Sequence, residues 1–433
     1  MVSYVFQVSI FNFERGLTLA ETDIRICHGD RSQSYPCKIY FDLKRNNTLL
    51  IEPLRPVTAI ADEPDGPFSM VIPNVNERIE CFKIYSTQRW GGENSGTWVV
   101  LTPRFSNIEV DRSPTLIRIN AGILNLGHYW TDIPAGLSYF KLEHDGWLFD
   151  FTPVTDSTLL YPPSVQNEAY FFTHHLCARK CKDAPFVTSE AHDRLADLCL
   201  FLSFCHGHWV STALTHGIDE HGQIGMEEWG TRTLSRWCHG SNWLDEHHGK
   251  CIVELFPDFM QLIMKSPEWK DAIQVAIYWY VRADTNFVGP DGACVLLQAA
   301  LERLAWHVLV RDQHSLSEDG FSKLPAADQL RLFLSMLSIP LQLPPGLLKL
   351  HKAAKAFNWQ DGPQAFVEIR NRIVHPPKGG RQASGLPYYD AYRLSKWYLE
   401  LAILSACGYK GVYSNRTRER LWIGEVEPVP WEV

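Results

Sequence analysis

The feature that most restricts the fold of this 433-residue chain is a change of hydrophobic period near Ser189. Before it, apolar residues alternate with polar ones or gather in runs rich in aromatic and β-branched side chains, the pattern of strands. VSYVFQVSIF, CKIYFDL, RIECFKIY, GTWVVLT, TLIRINAGIL and GLSYFKLEHDGWLFDFTPV carry that texture. Turn signals separate them, among them Asn46-Asn47, Glu63-Pro64-Asp65-Gly66-Pro67, Gly91-Gly92 and Asp145-Gly146. After Ser189 apolar residues return at three- and four-residue spacing, as on one face of a helix. Strand and helix periods cannot be exchanged within one segment, so the expected class is α+β: an antiparallel, sandwich-like or curled β-rich region followed by an all-α bundle.

The helical part opens with EAHDRLADLCLFLSFCHGHWVST, whose Leu195, Leu198, Leu202 and Phe204 share a face, with Gly207 at its end or in a close contact. Residues 213 to 250, rich in Gly, His and Trp, show no period. Helices are then predicted over 252–265, 268–283, 291–312, 325–337, 346–358, 362–374 and 387–407. The span 291–312 puts Leu297, Leu301, Leu304 and Val308 in one stripe, and the last helix does so with Ala391, Leu394, Trp397 or Tyr398, and Leu401. The expected domains are a β-rich region over 1–185, a helical middle over 186–285, a bundle over 286–410 and an extension over 411–433. No internal repeat is visible.

A net charge of −8 and a pI near 6.1 rule out a uniformly basic nucleic-acid binder, so any polyanion contact must be a local patch. The 11 scattered cysteines read as thiols of a reducing compartment. The amino terminus, MVSYVFQVSIFNFERG, lacks the basic flank of a signal peptide, and no apolar run reads as long enough to span a bilayer. The expectation is a cytoplasmic protein with no membrane contact.

The chemically densest stretch is DGPQAFVEIRNRIVHPPK, Asp361 to Lys378. Asp361 suits a helix N-cap, and Pro363 suits the first turn, where its missing N–H costs nothing. Phe366, Ile369 and Ile373 define a core face, and Pro376 forces His375 out of the helical region, so the helix must stop there. Arg370 falls beside Phe366 on the apolar side, where a guanidinium has to be paired or face a second surface. Two local rules are thus broken within six residues, the kind of place where function is expected.

Arg370-Asn371 followed by His375, in RNRIVH, with Ala300-Leu301-Glu302 in a long helix upstream and another long helix downstream, resembles the HEPN superfamily. The order of β-rich region, helical middle and bundle resembles its Apea-like members, several of which serve in prokaryotic abortive infection. The resemblance covers residues 290–407, with FFTHHLCARKCKDAPF and LSFCHGHWV as looser matches. It implies a metal-independent endoribonuclease with no cofactor, built as a homodimer through the bundle, that cuts RNA, tRNA included. It also implies a β region that senses a phage-derived or protein trigger. His375 would then be the acid or base, Arg370 would stabilise the phosphorane, and Asn371 would support the site. Glu302 would orient a cation. Arg372, Lys378 and Arg381 would hold flanking phosphates. The residue chemistry fits these roles: imidazole titrates near neutrality, and the guanidinium fork matches two phosphate oxygens.

Bland readings compete. Arg370 can be a buried ion-pair partner and His375 a cation favoured by the helix dipole. A second Arg–His spacing, Arg232 with His239, lies in an aperiodic stretch and reads as coincidence. His174, His175, Cys177 and Cys181 match no zinc spacing, HEHH lacks the HExxH pattern, and there is no GxSxG or GxxxxGK[ST] motif. The other functions left open are a non-catalytic dimerisation and ligand-sensing module, and a metal-dependent hydrolase.

Overall fold

The computed structural model describes residues 17–432 apart from 29, 43–47, 58–67, 74, 76–77, 90–95, 104–106, 132–138, 155–169, 238–241, 285–287, 376–384 and 419–421. The chain is α+β and forms two units. One comprises the residues up to Leu126 together with Gly146–Ala196 and Val210–Cys238; the other takes Gly127–Asp145, Asp197–Trp209 and His239–Val433. The candidate strand VSYVFQVSIF and three of the four turn signals lie outside the described residues. At the fourth, Asp145 and Gly146 both take positive φ, 47° and 73°, the backbone that a tight Asp-Gly turn requires.

In the first unit, β1 (Leu17–His28), β2 (Arg31–Asp42), β3 (Thr48–Pro53), β4 (Phe68–Val71), β5 (Ile79–Arg89) and β6 (Gly96–Pro103) close into a barrel ordered β1-β2-β3-β6-β5-β4. The expected curled sheet therefore closes on itself, leaving no open edge. β2 shows the cause: Tyr35, Cys37, Ile39 and Phe41 are buried at every second position, the first three joining Ile24, Ile51, Met70 and Leu101 and Phe41 packing with Leu17 and Leu124. A second sheet carries β7 (Asn107–Asp111), β13 (Ile224–Thr231), β12 (Ser211–Ile218), β8 (Arg118–Leu124), β11 (Phe172–Lys180) and β10 (Trp147–Pro153) as neighbours in that order. β12 and β13 come from the stretch that showed no period. Every residue of β12 is buried, so both faces are covered and the alternation that marks a strand disappears.

Helix α1 (Thr188–His206) buries Leu195, Leu198, Leu202 and Phe204, and Gly207 follows it at φ 81°. In the second unit, β9 (Phe140–His144) and α2 (Lys250–Lys265) are followed by α3 (Pro267–Ala283) and α4 (Pro290–Trp306). A π-helical segment, His307–Asp312, replaces the last turns of the helix expected over 291–312. α5 (Glu318–Lys323), α6 (Ala326–Met336), α7 (Leu348–Phe357), α8 (Gly362–Val374) and α9 (Tyr388–Ala406) complete the helices. α4 packs against α3, α6, α8 and α9 and buries Leu297, Leu301 and Leu304 completely. Contrary to the sequence reading, Pro290–Asp312 is long and apolar enough to cross a membrane, but 67% of that window is buried inside the protein. The last residues dock as a short two-stranded sheet, β14 (Val412–Tyr413) with β15 (Glu427–Pro428). Arg393 donates to the carbonyls of Arg416 and Arg418, and Trp431 Nε1 to that of Tyr409. The ten described cysteines are free thiols.

Candidate active site

α8 starts and stops where its sequence dictates. Asp361 is extended, and its Oδ1 accepts the Gln364 backbone N–H at 2.9 Å, closing the N-terminus. The same carboxylate receives Arg331 from α6, Nε to Oδ2 at 2.6 Å, so the cap also fixes the helix against its neighbour. Gly362 donates its N–H to the Leu341 carbonyl at 2.8 Å. At the other end His375 leaves the helix at φ −110° and ψ 133°, still donating its N–H to the Asn371 carbonyl. Phe366 and Ile369 are wholly buried, whereas Ile373 is only half-buried and Val374 is exposed. The apolar face thins out as α8 approaches its end, leaving that end accessible.

Arg370 is half-buried, and among the described residues its Nε is shut away from solvent with no hydrogen-bond partner. Its Nη1 donates to Asn371 Oδ1 in a long, 3.4 Å hydrogen bond, and among the described residues no carboxylate pairs with it. The Nε–H forgoes hydration at that one nitrogen, while the rest of the half-buried guanidinium keeps partial access to solvent. His375 is exposed, and among the described residues it makes no contact with Arg370. Arg370 and Asn371 are therefore brought together, and His375 stands at the helix end beyond them. Glu302 on α4 does not pair with either cation among the described residues; its Oε1 accepts from Gln298 Nε2 at 2.5 Å. Arg372 lies over the Phe357 ring at 4.1 Å and near Trp359 at 5.6 Å. Lys378 and Arg381 fall outside the described residues, as does His239 of the second Arg–His spacing.

The most strongly perturbed charges lie elsewhere in the second unit, and sequence reasoning missed them. Lys396, wholly buried on α9, places Nζ 2.6 Å from Asp284 Oδ2. Tyr392 donates to Asp284 Oδ1, and His208 Nε2 lies 3.6 Å from Oδ2. One turn further along α9, Glu400 is also buried and accepts both Nε and Nη2 of Arg416 at 2.7 Å, with the Tyr280 hydroxyl donating to Oε1. Burial alone would raise the Asp284 carboxyl, but Lys396 and His208 outweigh it and hold it at about 2. Burial pushes His208 and Lys396 down, Asp284 opposing it in both. The network clamps α3, α9 and the docked carboxyl-terminal segment together. The one signal for it was spacing: Tyr392, Lys396 and Glu400 fall at i, i+4 and i+8 on one stripe of a helix rich in apolar residues.

The histidine–cysteine stretch lies in β11, where neighbours point to opposite faces: His174 is buried beside Phe151 and Thr173, and His175 faces the other way. Among the described residues no three His, Cys, Asp or Glu side chains converge as a metal site would require.

Residues 127–239 match the family model of the YopA central domain, and residues 266–428 match that of the YopA C-terminal domain. Both candidate constellations have members in the second of these stretches. A curated relative, the SPbeta prophage-derived uncharacterized protein YopA of Bacillus subtilis (strain 168), is 28% identical over 295 residues. That alignment covers 67% of this chain and 66% of the relative, so the chain spans just under two thirds of its length. No solved structure matches.

Proposed function

We propose that this chain is a cytoplasmic, metal-independent endoribonuclease of the HEPN type, active as a homodimer through its helical bundle. The observation that carries the reading is Arg370: among the described residues its buried Nε has no partner and its Nη1 reaches Asn371, and the exposed His375 closes the same helix. A half-buried guanidinium with no carboxylate partner among the described residues is available to an external anion. RNA supplies one. His375 takes the proton of the 2′-hydroxyl as its oxygen attacks phosphorus. Arg370 donates to the non-bridging oxygens as charge builds on them, with Asn371 steadying the guanidinium. The bond to the 5′-oxygen breaks and that oxygen takes up a proton from water, leaving a 2′,3′-cyclic phosphate and a 5′-hydroxyl, while His375 returns its proton to solvent.

In the dimer, isologous packing sets two such helix ends opposite each other, each with the positive charge of Arg372; the phosphate-holding roles of Lys378 and Arg381, outside the described residues, rest on the sequence. Glu302 would act from α4 only after releasing Gln298. The β unit would then take the phage-derived or protein trigger. A relative carried by a prophage is in keeping with a protein of phage–host conflict.

The test is incubation of purified protein with total RNA and tRNA in EDTA, beside Arg370→Ala and His375→Ala. Cuts ending in 2′,3′-cyclic phosphate, lost in both folded variants, are expected. Undiminished cleavage in either variant removes that residue from the mechanism. A protein that neither cuts RNA nor, on expression, harms cells in a His375-dependent way is not this nuclease.

A further inference from the structure

Between the barrel and the second sheet of the first unit lies a chamber of about 390 Å³, in the size range of small-ligand sites. Its walls are largely apolar, with Leu19 and Ala20 from β1, Leu214 from β12 and Ile224 from β13. Two backbone irregularities face it. The β1–β2 register slips between Thr18 and Ala20, and β12 bulges beside Leu214 against both of its neighbours. Leu214 sits at φ 51°, a left-handed conformation that a branched aliphatic side chain seldom accepts. Bulges and strain of this kind are usually kept where a side chain must be re-aimed toward a site.

One row of polar groups crosses this apolar surface. Asn120 of β8, His216 of β12 and Glu227 of β13 are direct cross-strand neighbours. The Asn120 amide nitrogen lies 3.3 Å from His216 Nε2, and Arg112 Nη2 lies 2.5 Å from Glu227 Oε2. Glu227 is nearly buried, whereas the Arg112 side chain is 40% exposed, so the carboxylate lies deep and the guanidinium lies toward the rim. Trp229, two residues along β13, adds an aromatic wall.

A carboxylate beside a guanidinium presents acceptors next to donors. That pattern complements a planar ring bearing two N–H donors and a carbonyl along one edge. Arg112 is the one arginine or lysine among the described lining residues and is already paired, so a polyphosphate finds little here. We propose that the chamber binds a guanine-type purine nucleoside, Glu227 accepting from the ring N–H and exocyclic amine, Arg112 donating to the carbonyl, and Trp229 offering its ring to the base. This site is independent of the α8 reading and would stand if that reading failed.

The experiment is calorimetric titration of the full chain with guanosine, adenosine and uridine. Guanosine is expected to bind. Adenosine lacks the ring N–H and would set its N1 lone pair against the carboxylate, weakening binding about tenfold or more. Glu227→Gln is expected to weaken guanosine binding by about 10- to 100-fold, the weight of a hydrogen bond to a charged group. Because that change also disturbs Arg112, Ala20→Phe is tested beside it: it fills the chamber, keeps the ion pair and should abolish binding while unfolding remains cooperative. Failure of all three nucleosides to bind overturns the proposal. So does guanosine binding that survives both substitutions, and equal affinity for adenosine overturns the edge assignment.

Discussion

Lys396 Nζ and Asp284 Oδ2 lie 2.6 Å apart, the lysine side chain wholly buried and the aspartate 14% exposed. Removing one partner of such a pair leaves the other charged in a place poor in water. Lys396→Met is therefore expected to cost about 3–5 kcal/mol, read as a fall in the urea midpoint. Adding Asp284→Asn to it should recover most of that loss, because the stranded charge goes with it. The pH dependence has a definite sign. The folded Asp284 carboxyl, held at about 2, lies below its ordinary 3.8, so its contribution is present above pH 3.8 and fades as pH falls toward 2. A single variant as stable as the parent would show the pair to be dispensable.

His128 gives a second window, nearer neutrality. Burial lowers its imidazole from 6.5 to about 4, so between those values the unfolded chain binds a proton that the folded one refuses. Stability is then full above pH 6.5 and declines as pH falls toward 4, by about 3 kcal/mol over the window. His175, His208, His216 and His307 are pushed the same way by burial and steepen the decline. Chemical denaturation at successive pH values should show His128→Gln with a flatter profile than the parent. An identical slope would remove His128 as a source.

Gly362 carries a tighter constraint than its place beside a cap implies. A Cβ there would run into the Tyr398 hydroxyl and come within 3.1 Å of the Leu341 carbonyl. Gly362→Ala is expected to destabilise by about 1–3 kcal/mol, the usual cost of overpacking. Tyr398→Phe removes the nearest atom, so the double variant should melt above Gly362→Ala alone. If the two losses simply add, the clash is not the cause.

What the sequence disclosed about this molecule follows from how local each signal is. α8 was readable to the residue, 362–374, because its cap, first-turn proline and Pro376 stop all lie in one 18-residue stretch. The motif of Arg370, Asn371 and His375 was visible for the same reason, though among the described residues the structure joins only Arg370 to Asn371. β12 was hidden because burial on both faces erases alternation, and the barrel could not be told from an open sheet because closure pairs β1 with β4, far along the chain. The buried network was hidden by distance: Lys396 meets an aspartate 112 residues earlier, and nothing near either residue announces the other. Glu302 shows the opposite failure, a plausible spacing whose carboxylate turns to Gln298.

Arg370→Met separates a structural arginine from a functional one. Were the guanidinium there for stability, cutting it back to an unbranched apolar chain would cost several kcal/mol, as loss of a buried ion-pair partner does. Here it has no carboxylate among the described residues, and a buried Nε donor left unpaired carries a penalty of about 1–3 kcal/mol. Methionine keeps an unbranched stem of similar length and removes that penalty. The expected result is a melting temperature unchanged or raised, together with loss of RNA cleavage. A residue kept at a cost in stability is kept for something else. A clear fall in melting temperature would mean that Arg370 holds the bundle together, and the case for its place in an active site would fall with it.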